Sequence, residues 1–389
     1  MFVSHVITRL IVGGAQENTI SSVIGLADLP SAKVELISGP TDGLLPEGSL
    51  EPRLSSFKGH FEIEPHLVRP VSPLNDVLAY LSLRRRYLHK RPDIVHTHSG
   101  KAGIIGRLAA RAAGVKCIIH TIHGPSFGVY QGKISNAVFL KAEQIAAGAT
   151  DHFIGVADAM CRQYLQAGIG KSDQYSTIYS GFDLGAFSTA KPDPDLREKS
   201  GLKETDFVVG KIARLFDLKG HKELFSVLPA LVQKIPNLKL LLVGGGPHRE
   251  RFESQLSQMG LRDRVVFTGL ISPEEVPKWI GLMDVLVHLS WREGLPRALP
   301  QALAAGKPVV AFDLDGAPEV CIPGKTGVLV QPNDEPSLIE ALVKLATQPE
   351  LRRSLGQQGK KLVETRFTVE SMVRSIHDLY LRLQSDARH

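Results

Sequence analysis

Short runs of apolar, largely β-branched residues alternate along this chain with longer stretches whose apolar positions recur at helical spacing. In the first half the runs predict strands near Phe2–Ile7, Val34–Ser38, Asp93–His96, Lys116–Thr121, His152–Val156 and Tyr175–Tyr179, with helices such as Leu74–His89 and Gly103–Ala113 between them. The second half repeats the plan with strands near Phe207–Ala213, Leu238–Gly244, Val265–Thr268, Val285–His288, Pro308–Phe312 and Gly327–Val330. Strand and helix in alternation is the pattern of a parallel sheet covered on both faces, so the expected class is α/β with two doubly wound, Rossmann-like domains. The rhythm breaks between Phe182 and Lys203, where Pro192, Pro194 and several charges suggest a linker. The expected domains are therefore residues 1–185 and 205–368, joined by 186–204. Beyond Pro332 the chain turns helical through Glu335–Ala346, Pro349–Glu364 and Val369–Leu383.

Composition narrows the class. A chain of 389 residues suits two domains of about 150 residues each with some excess, and a 43% apolar fraction is enough for two buried cores. The formal charge of +6 is mild, and without a basic tail it gives no reason to expect a nucleic-acid partner. Cys117, Cys161 and Cys321 lie far apart with no metal-ligand spacing; Cys117 and Cys161, in apolar surroundings, read as reduced core residues. The chain enters its first strand at Phe2, an arrangement without a signal peptide, and no run of 18 apolar residues offers a membrane span. A cytoplasmic enzyme is expected. The cluster Arg84, Arg85, Arg86, Lys90 and Arg91 closes a helix that also carries Leu78, Tyr80, Leu81 and Leu83. It either neutralises that helix's C-terminus or makes a peripheral contact with the inner face of an anionic membrane.

Most of the candidate chemistry sits where strands end and helices begin, the place where open α/β sheets bind ligands. Gly13 and Gly14 form the first such turn, and glycine lets backbone approach a phosphate closely. His96 and His98 leave another strand at i and i+2; the sequence offers no third ligand nearby, so a metal site is not expected. His123 ends a further strand beside Gly124. In the second half, Arg214 ends a strand and Lys219 precedes the next helix, a cation pair suited to a diphosphate, whose departure from a sugar develops negative charge. Gly244, Gly245 and Gly246 follow a buried strand but lack the spacing of a dinucleotide fingerprint. Gly324-Lys-Thr-Gly327 lacks the upstream part of a P-loop. Glu293 sits in a turn through Gly294, Leu295 and Pro296 that opens a helix over Arg297–Ala304; free N–H groups there suit a phosphate, and the carboxylate suits a polyhydroxylated sugar.

The run Ser290-Trp-Arg-Glu-Gly-Leu-Pro-Arg-Ala-Leu-Pro-Gln301, together with the spacing of Arg214-Leu from Lys219-Gly220, resembles the signature of retaining glycosyltransferases of family 4 (glycosyltransferase group 1) with the GT-B fold. The likeness runs from about Phe2 to Phe367. It implies two Rossmann-like domains facing across a cleft, with the last helix, 369–385, crossing back onto the first. It also implies transfer, with retention of configuration, from a UDP- or GDP-linked sugar to a glycan or lipid-linked acceptor. By resemblance, Glu293 meets the donor sugar, Arg214 and Lys219 clamp its diphosphate in place of a metal ion, and His123 reaches the sugar. The loop of Gly13 and Gly14 would lie near the phosphates and acceptor. Gly244 and Gly245 would border the nucleotide, the segment through Gly269 and Leu270 would read the base, and Glu319 would play a supporting part. The departure is Gln301, where the family typically carries a second glutamate that holds the ribose. Glutamine keeps an acceptor oxygen but loses the charge. Eight residues of helix span about 12 Å, which would set Glu293 and Gln301 on different parts of one ligand. Two other readings stay open: a nucleotide-sugar epimerase of the same fold, and a non-catalytic nucleotide-sugar binding protein.

Overall fold

Strands covered by helices on both faces lose both faces to the core, which is why they read as near-continuous apolar runs. The computed structural model describes residues 1–41, 48–128 and 130–386, and the chain divides into two units. One is Met1–Gly181 together with the chain from Val369 onward; the other is Phe182–Thr368. The first contains β1 (Phe2–Ile7), α1 (Gly14–Ala27), β2 (Lys33–Ser38), β3 (His60–Ile63), α2 (Pro73–Lys90), β4 (Ile94–His98), α3 (Gly100–Ala112), β5 (Cys117–Ile122), α4 (Lys133–Ala147), β6 (His152–Gly155), α5 (Asp158–Gln166) and β7 (Tyr175–Thr177). The second contains α6 (Gly185–Ser188), α7 (Pro194–Lys199), β8 (Phe207–Ile212), α8 (His221–Lys234), β9 (Leu238–Val243), α9 (Arg249–Gln258), β10 (Val265–Gly269), α10 (Val276–Gly281), β11 (Val285–His288), α11 (Ala298–Ala304), β12 (Val309–Phe312), β13 (Gly327–Val330), α12 (Glu335–Thr347) and α13 (Pro349–Arg366). The chain then returns to the first unit as α14 (Val369–Asp386).

Each unit is built on one parallel sheet. The orders are β3-β2-β1-β4-β5-β6-β7 and β10-β9-β8-β11-β12-β13. The order reverses between β1 and β4 in one sheet and between β8 and β11 in the other, so the loops leaving those strands diverge and leave room at their C-terminal ends. In the first unit α14 presents Met372, Val373, Ile376, Leu379 and Tyr380 to one face of the sheet, beside α1. The other face is covered by α2 and α3 through Leu83, Tyr87, Ile105 and Ala109. The core of the second unit joins α8, α9, α12 and the strands.

Two features differ from the sequence expectation. β3 was not expected: it is a four-residue edge strand whose His60, Glu62 and Ile63 are exposed, so it carries no buried apolar run. The stretch 186–204 is not a free linker but the opening of the second unit. Asp193 caps α7 by accepting from the Leu196 N–H at 3.1 Å, and Arg197 is buried with its guanidinium donating to the carbonyls of Lys203 (2.9 Å) and Leu282 (3.3 Å). Proline and charge, read as a break, here serve a helix N-terminus and an internal anchor.

Candidate functional site

The strand-order reversal of the second unit sets the β8–α8 loop beside the β11–α11 loop. Lys219 on the first and Glu293 on the second meet at 2.6 Å between ammonium Nζ and carboxylate Oε1. Burial alone would raise the Glu293 pKa; Lys219 outweighs it and holds the carboxyl below its ordinary value, hence ionised. Lys219 leads into α8 through Gly220, whose φ of 73° is left-handed and whose missing Cβ would lie 2.0 Å from the Leu289 carbonyl. Glycine at 220 is therefore demanded by the approach of β11, and this fixes where Lys219 can stand. The Trp291 N–H donates to the Leu218 carbonyl at 2.9 Å and ties the two loops together. The Glu293 N–H donates to Asp315 Oδ2 at 2.7 Å, and Gly316 N–H to the Gly294 carbonyl at 3.1 Å, so the β12 loop clamps the same turn from the other side. Arg214 lies at the end of β8, exposed, with its guanidinium over the Phe216 ring.

Sequence reasoning missed the polar layer beneath this pair. Lys211 of β8 is buried, its ammonium has no hydrogen-bond partner among the described residues, and burial pushes its pKa down to about 7. His221, His288 and Ser290 are buried in the same layer, and His288 Nε2 has no hydrogen-bond partner among the described residues. The available signal was a lysine inside the otherwise buried strand Phe-Val-Val-Gly-Lys-Ile.

The glycine turn after β9 is also built by close approach. Gly244 has φ 135°, and a Cβ there would lie 2.3 Å from the Ala213 carbonyl. Its neighbour Gly245 lies against Leu270, whose side chain is exposed. Gly269, at φ 72°, ends β10. Leu295 and Pro296 are buried within the Glu293 turn. Gln301 lies in α11, half-buried. Because α11 starts only at Ala298, Glu293 is not on that helix. The 12 Å helical spacing expected between the two side chains does not apply. Glu319 lies in the short 3-10 turn after β12.

In the first unit Gly13 caps α1 in extended backbone and Gly14 is its first residue. The histidines are more numerous than expected. His5 of β1 is in register with His96 of β4, so the third ring judged missing from the sequence comes from a neighbouring strand. Ring nitrogens of His5, His96 and His98 lie within 4.8 Å of one another. Each is already within hydrogen-bond distance of a protein group: His5 Nδ1 to His98 Nε2 (3.0 Å), His98 Nδ1 to His123 Nε2 (3.2 Å), His96 Nε2 to Thr121 Oγ1 (2.6 Å) and His96 Nδ1 to Tyr380 Oη (2.5 Å). Burial lowers the pKa of all four rings and keeps them neutral. His123, just past β5, is the half-buried outer end of this group. Cys117, Cys161 and Cys321 are buried free thiols.

The basic cluster of α2 divides. Arg86 and Lys90, expected among the membrane-facing cations, instead turn inward to the buried Glu35 carboxylate at 3.0 and 2.9 Å. Arg84, Arg85 and Arg91 are exposed; helical spacing sets Arg84 and Arg85 on the face of the exposed Leu74, Val77, Leu81 and Leu88, and Arg91 is the left-handed cap that ends the helix. No helix among the described residues is long and apolar enough to cross a membrane.

Comparison with known proteins places this geometry in context. The family model described as glycosyl transferases group 1 matches residues 192–362, and that described as glycosyltransferase family 4 matches 13–186. The chain is similar to the UDP-Gal:alpha-D-GlcNAc-diphosphoundecaprenol alpha-1,3-galactosyltransferase of Escherichia coli, 30% identical over 324 residues and 82% of each chain. It is also similar to the GDP-mannose-dependent alpha-(1-6)-phosphatidylinositol monomannoside mannosyltransferase of Mycolicibacterium smegmatis, 27% identical over 84% of this chain and 78% of that one. Among solved structures, Anabaena Alr3699/HepE in complex with UDP-glucose superposes with a TM-score of 0.78 at 22% identity, covering 97% of this chain and 99% of the other. Sucrose-phosphate synthase from Thermosynechococcus elongatus gives 0.81 at 22% identity over 99% and 100%. At that identity the two structures share the fold.

Proposed function

The chain belongs to the group 1 glycosyl transferases of glycosyltransferase family 4, and on that premise we propose a retaining, metal-independent transferase that glycosylates a lipid-linked acceptor at an anionic membrane surface. It is a glycosyltransferase that draws on a nucleoside-diphosphate sugar; we read the donor base as uracil or guanine, as in the UDP and GDP of the names of the two relatives above. The observation that carries the residue-level reading is the meeting of Lys219 and Glu293 at the strand-order reversal. The Lys219 ammonium has three donors, of which Glu293 takes one among the described residues. The others suit diphosphate oxygens, and Arg214 adds a guanidinium on the same loop. As the sugar C1–O bond breaks, charge develops on the leaving diphosphate, and a preorganised cation pair stabilises it. Glu293, held ionised and pinned by Asp315, accepts hydrogen bonds from sugar hydroxyls and sets the sugar's orientation. The acceptor hydroxyl attacks C1 from the face the diphosphate leaves, and its proton passes to a phosphate oxygen. By the family resemblance His123 meets a sugar hydroxyl, and the Gln301 side-chain amide holds the ribose.

The acceptor reading rests on α2, whose exposed leucines and arginines form one apolar and basic stripe. It agrees with the undecaprenol and phosphatidylinositol in the names of the two relatives.

Thermal unfolding with UDP, GDP and their sugars tests the donor reading. A nucleotide at 100 times its dissociation constant adds about 2.7 kcal/mol of stability, and it should do so in the presence of excess chelator. Stabilisation that requires manganese or magnesium would reject the metal-independent clamp. Epimerised sugar from donor alone would favour the epimerase instead.

A further inference from the structure

Five groups of the first unit stand in a line behind His123. Its Nε2 lies 3.2 Å from His98 Nδ1; His98 Nε2 lies 3.0 Å from His5 Nδ1; His5 Nε2 lies 3.3 Å from Tyr380 Oη. Tyr380 Oη lies 2.5 Å from His96 Nδ1, and His96 Nε2 lies 2.6 Å from Thr121 Oγ1. The line draws on four elements: β1, β4, β5 and α14. His5, His96, His98, Thr121 and Tyr380 are all buried, and only His123 at the end is partly accessible. Neutral imidazole carries one N–H and one bare nitrogen, and a phenol has one proton to donate. A line of such groups cannot choose each proton position independently. Once one link has a direction, every link takes it, because reversing one alone would leave two N–H groups facing each other or two bare nitrogens facing each other in a buried site, at a cost of about 1–3 kcal/mol.

The direction is set at His96, which has a hydroxyl on each side. A phenol is the stronger donor and the weaker acceptor of the two, and an aliphatic hydroxyl is the better acceptor. Tyr380 therefore donates to His96 Nδ1, and His96 Nε2–H donates to Thr121. It follows that His5 Nε2–H donates to Tyr380, His98 Nε2–H to His5 and His123 Nε2–H to His98. We propose that this buried line fixes His123 as its Nε2–H tautomer, which leaves Nδ1 bare as a hydrogen-bond acceptor for a sugar hydroxyl. Tyr380, His5, His96, His98 and Thr121 are positioning residues, acting on the sugar through His123. The proposal rests on the reading that His123 contacts the donor sugar, and it gives α14, far away in sequence, a specific part in that contact.

Long-range proton–nitrogen NMR of the protein labelled with ¹⁵N-histidine reads the tautomer of each ring. His123 is assigned by its loss in His123→Ala. The expected wild-type state is a single Nε2–H form of His123. Thr121→Val removes the acceptor at the far end, so the line should reverse and His123 should shift to Nδ1–H; Thr121→Ser should restore the original form. Tyr380→Phe cuts the line in the middle, and His123 should populate both forms. Turnover in Thr121→Val and Tyr380→Phe should fall about two- to tenfold, the equivalent of one net hydrogen bond. Inhibition by the nucleoside diphosphate should be unchanged, because that part is held by the second unit. A wild-type Nδ1–H form, or a His123 tautomer indifferent to both folded variants, overturns the proposal. So does a stoichiometric metal ion bound by His5, His96 and His98 in the purified protein. Unimpaired transfer by His123→Ala would instead reject the sugar contact, leaving the tautomer result to stand as a structural property.

Discussion

Glu293 and Lys219 are separated by 74 positions, yet they meet at 2.6 Å because the sheet reverses its strand order between the loops that carry them. Their types and local spacing were legible in the sequence, since each sits in a glycine-containing turn between a strand and a helix, and the backbone requires the glycine beside Lys219. The line behind His123 was not legible, because pairing of His5 with His96 depends on β1 lying next to β4, and Tyr380 arrives from the far end of the chain. Replacing Lys219 or Arg214 by alanine should lower turnover about a hundredfold or more, the scale for losing one preorganised charge stabiliser. Steady-state kinetics on the folded variants checks this, and near-normal turnover in either would dismiss the clamp. Lys211 gives a separate test. Its folded pKa of about 7 lies below its ordinary value of 10.5, so between these pH values the unfolded chain holds a proton that the folded chain lacks. Stability then rises with pH across that window, and the penalty is complete below it. Lys211→Met should thus be most stabilising below pH 7. Urea titrations should show wild type regaining ground on it by about 1.4 kcal/mol per pH unit up to about pH 10. A difference that does not vary with pH would mean that Lys211 is not buried as a charge.

At the scale of elements, long buried strands and amphipathic helices were readable, whereas short edges and capped turns were not. β3 escaped because an exposed edge strand has no apolar run, and α7 because its Pro194 and Asp193 look like a break until Asp193 is seen to cap it. The α2 helix shows how far sequence goes: five cations were visible, but not that Arg86 and Lys90 belong to Glu35. The inward and outward cations should behave differently when removed. Arg84→Glu with Arg85→Glu should weaken binding to vesicles containing anionic lipid by about 1 kcal/mol or more per residue and leave unfolding nearly unchanged. Arg86→Ala should destabilise the fold instead, because Glu35 stays buried with one cation fewer. Vesicle flotation and urea unfolding on the same variants separate the two. Equal effects on both measurements would mean that the division of the cluster is wrong.

For the whole molecule, two units with separate cores should unfold in two steps, and acid should part them. Burial lowers the pKa of six histidines in the first unit, His5, His96, His98, His120, His123 and His152, and of two in the second, His221 and His288. Unfolded, each titrates near 6.5, so below that pH the unfolded chain binds more protons and stability falls as pH falls, by about 1.4 kcal/mol per group per unit. Calorimetry between pH 7 and 5.5 should show the first unit's transition falling faster than the second's; parallel decline would contradict the buried neutral histidines. The two-sheet architecture was legible from strand–helix alternation, and the family from the Arg214, Lys219 and Glu293 signatures. The donor base, the sugar and the acceptor were not, since they depend on side-chain shape around the ligand rather than on motif. The central claim is transfer with retention by a clamp of protein cations, and proton NMR of the anomeric signal during turnover, with excess chelator present, tests it most directly. Starting from an α-linked donor, the first-formed product should carry the α-anomeric signal and appear at an undiminished rate. A β-anomeric product, or no product until a divalent metal is restored, would contradict it.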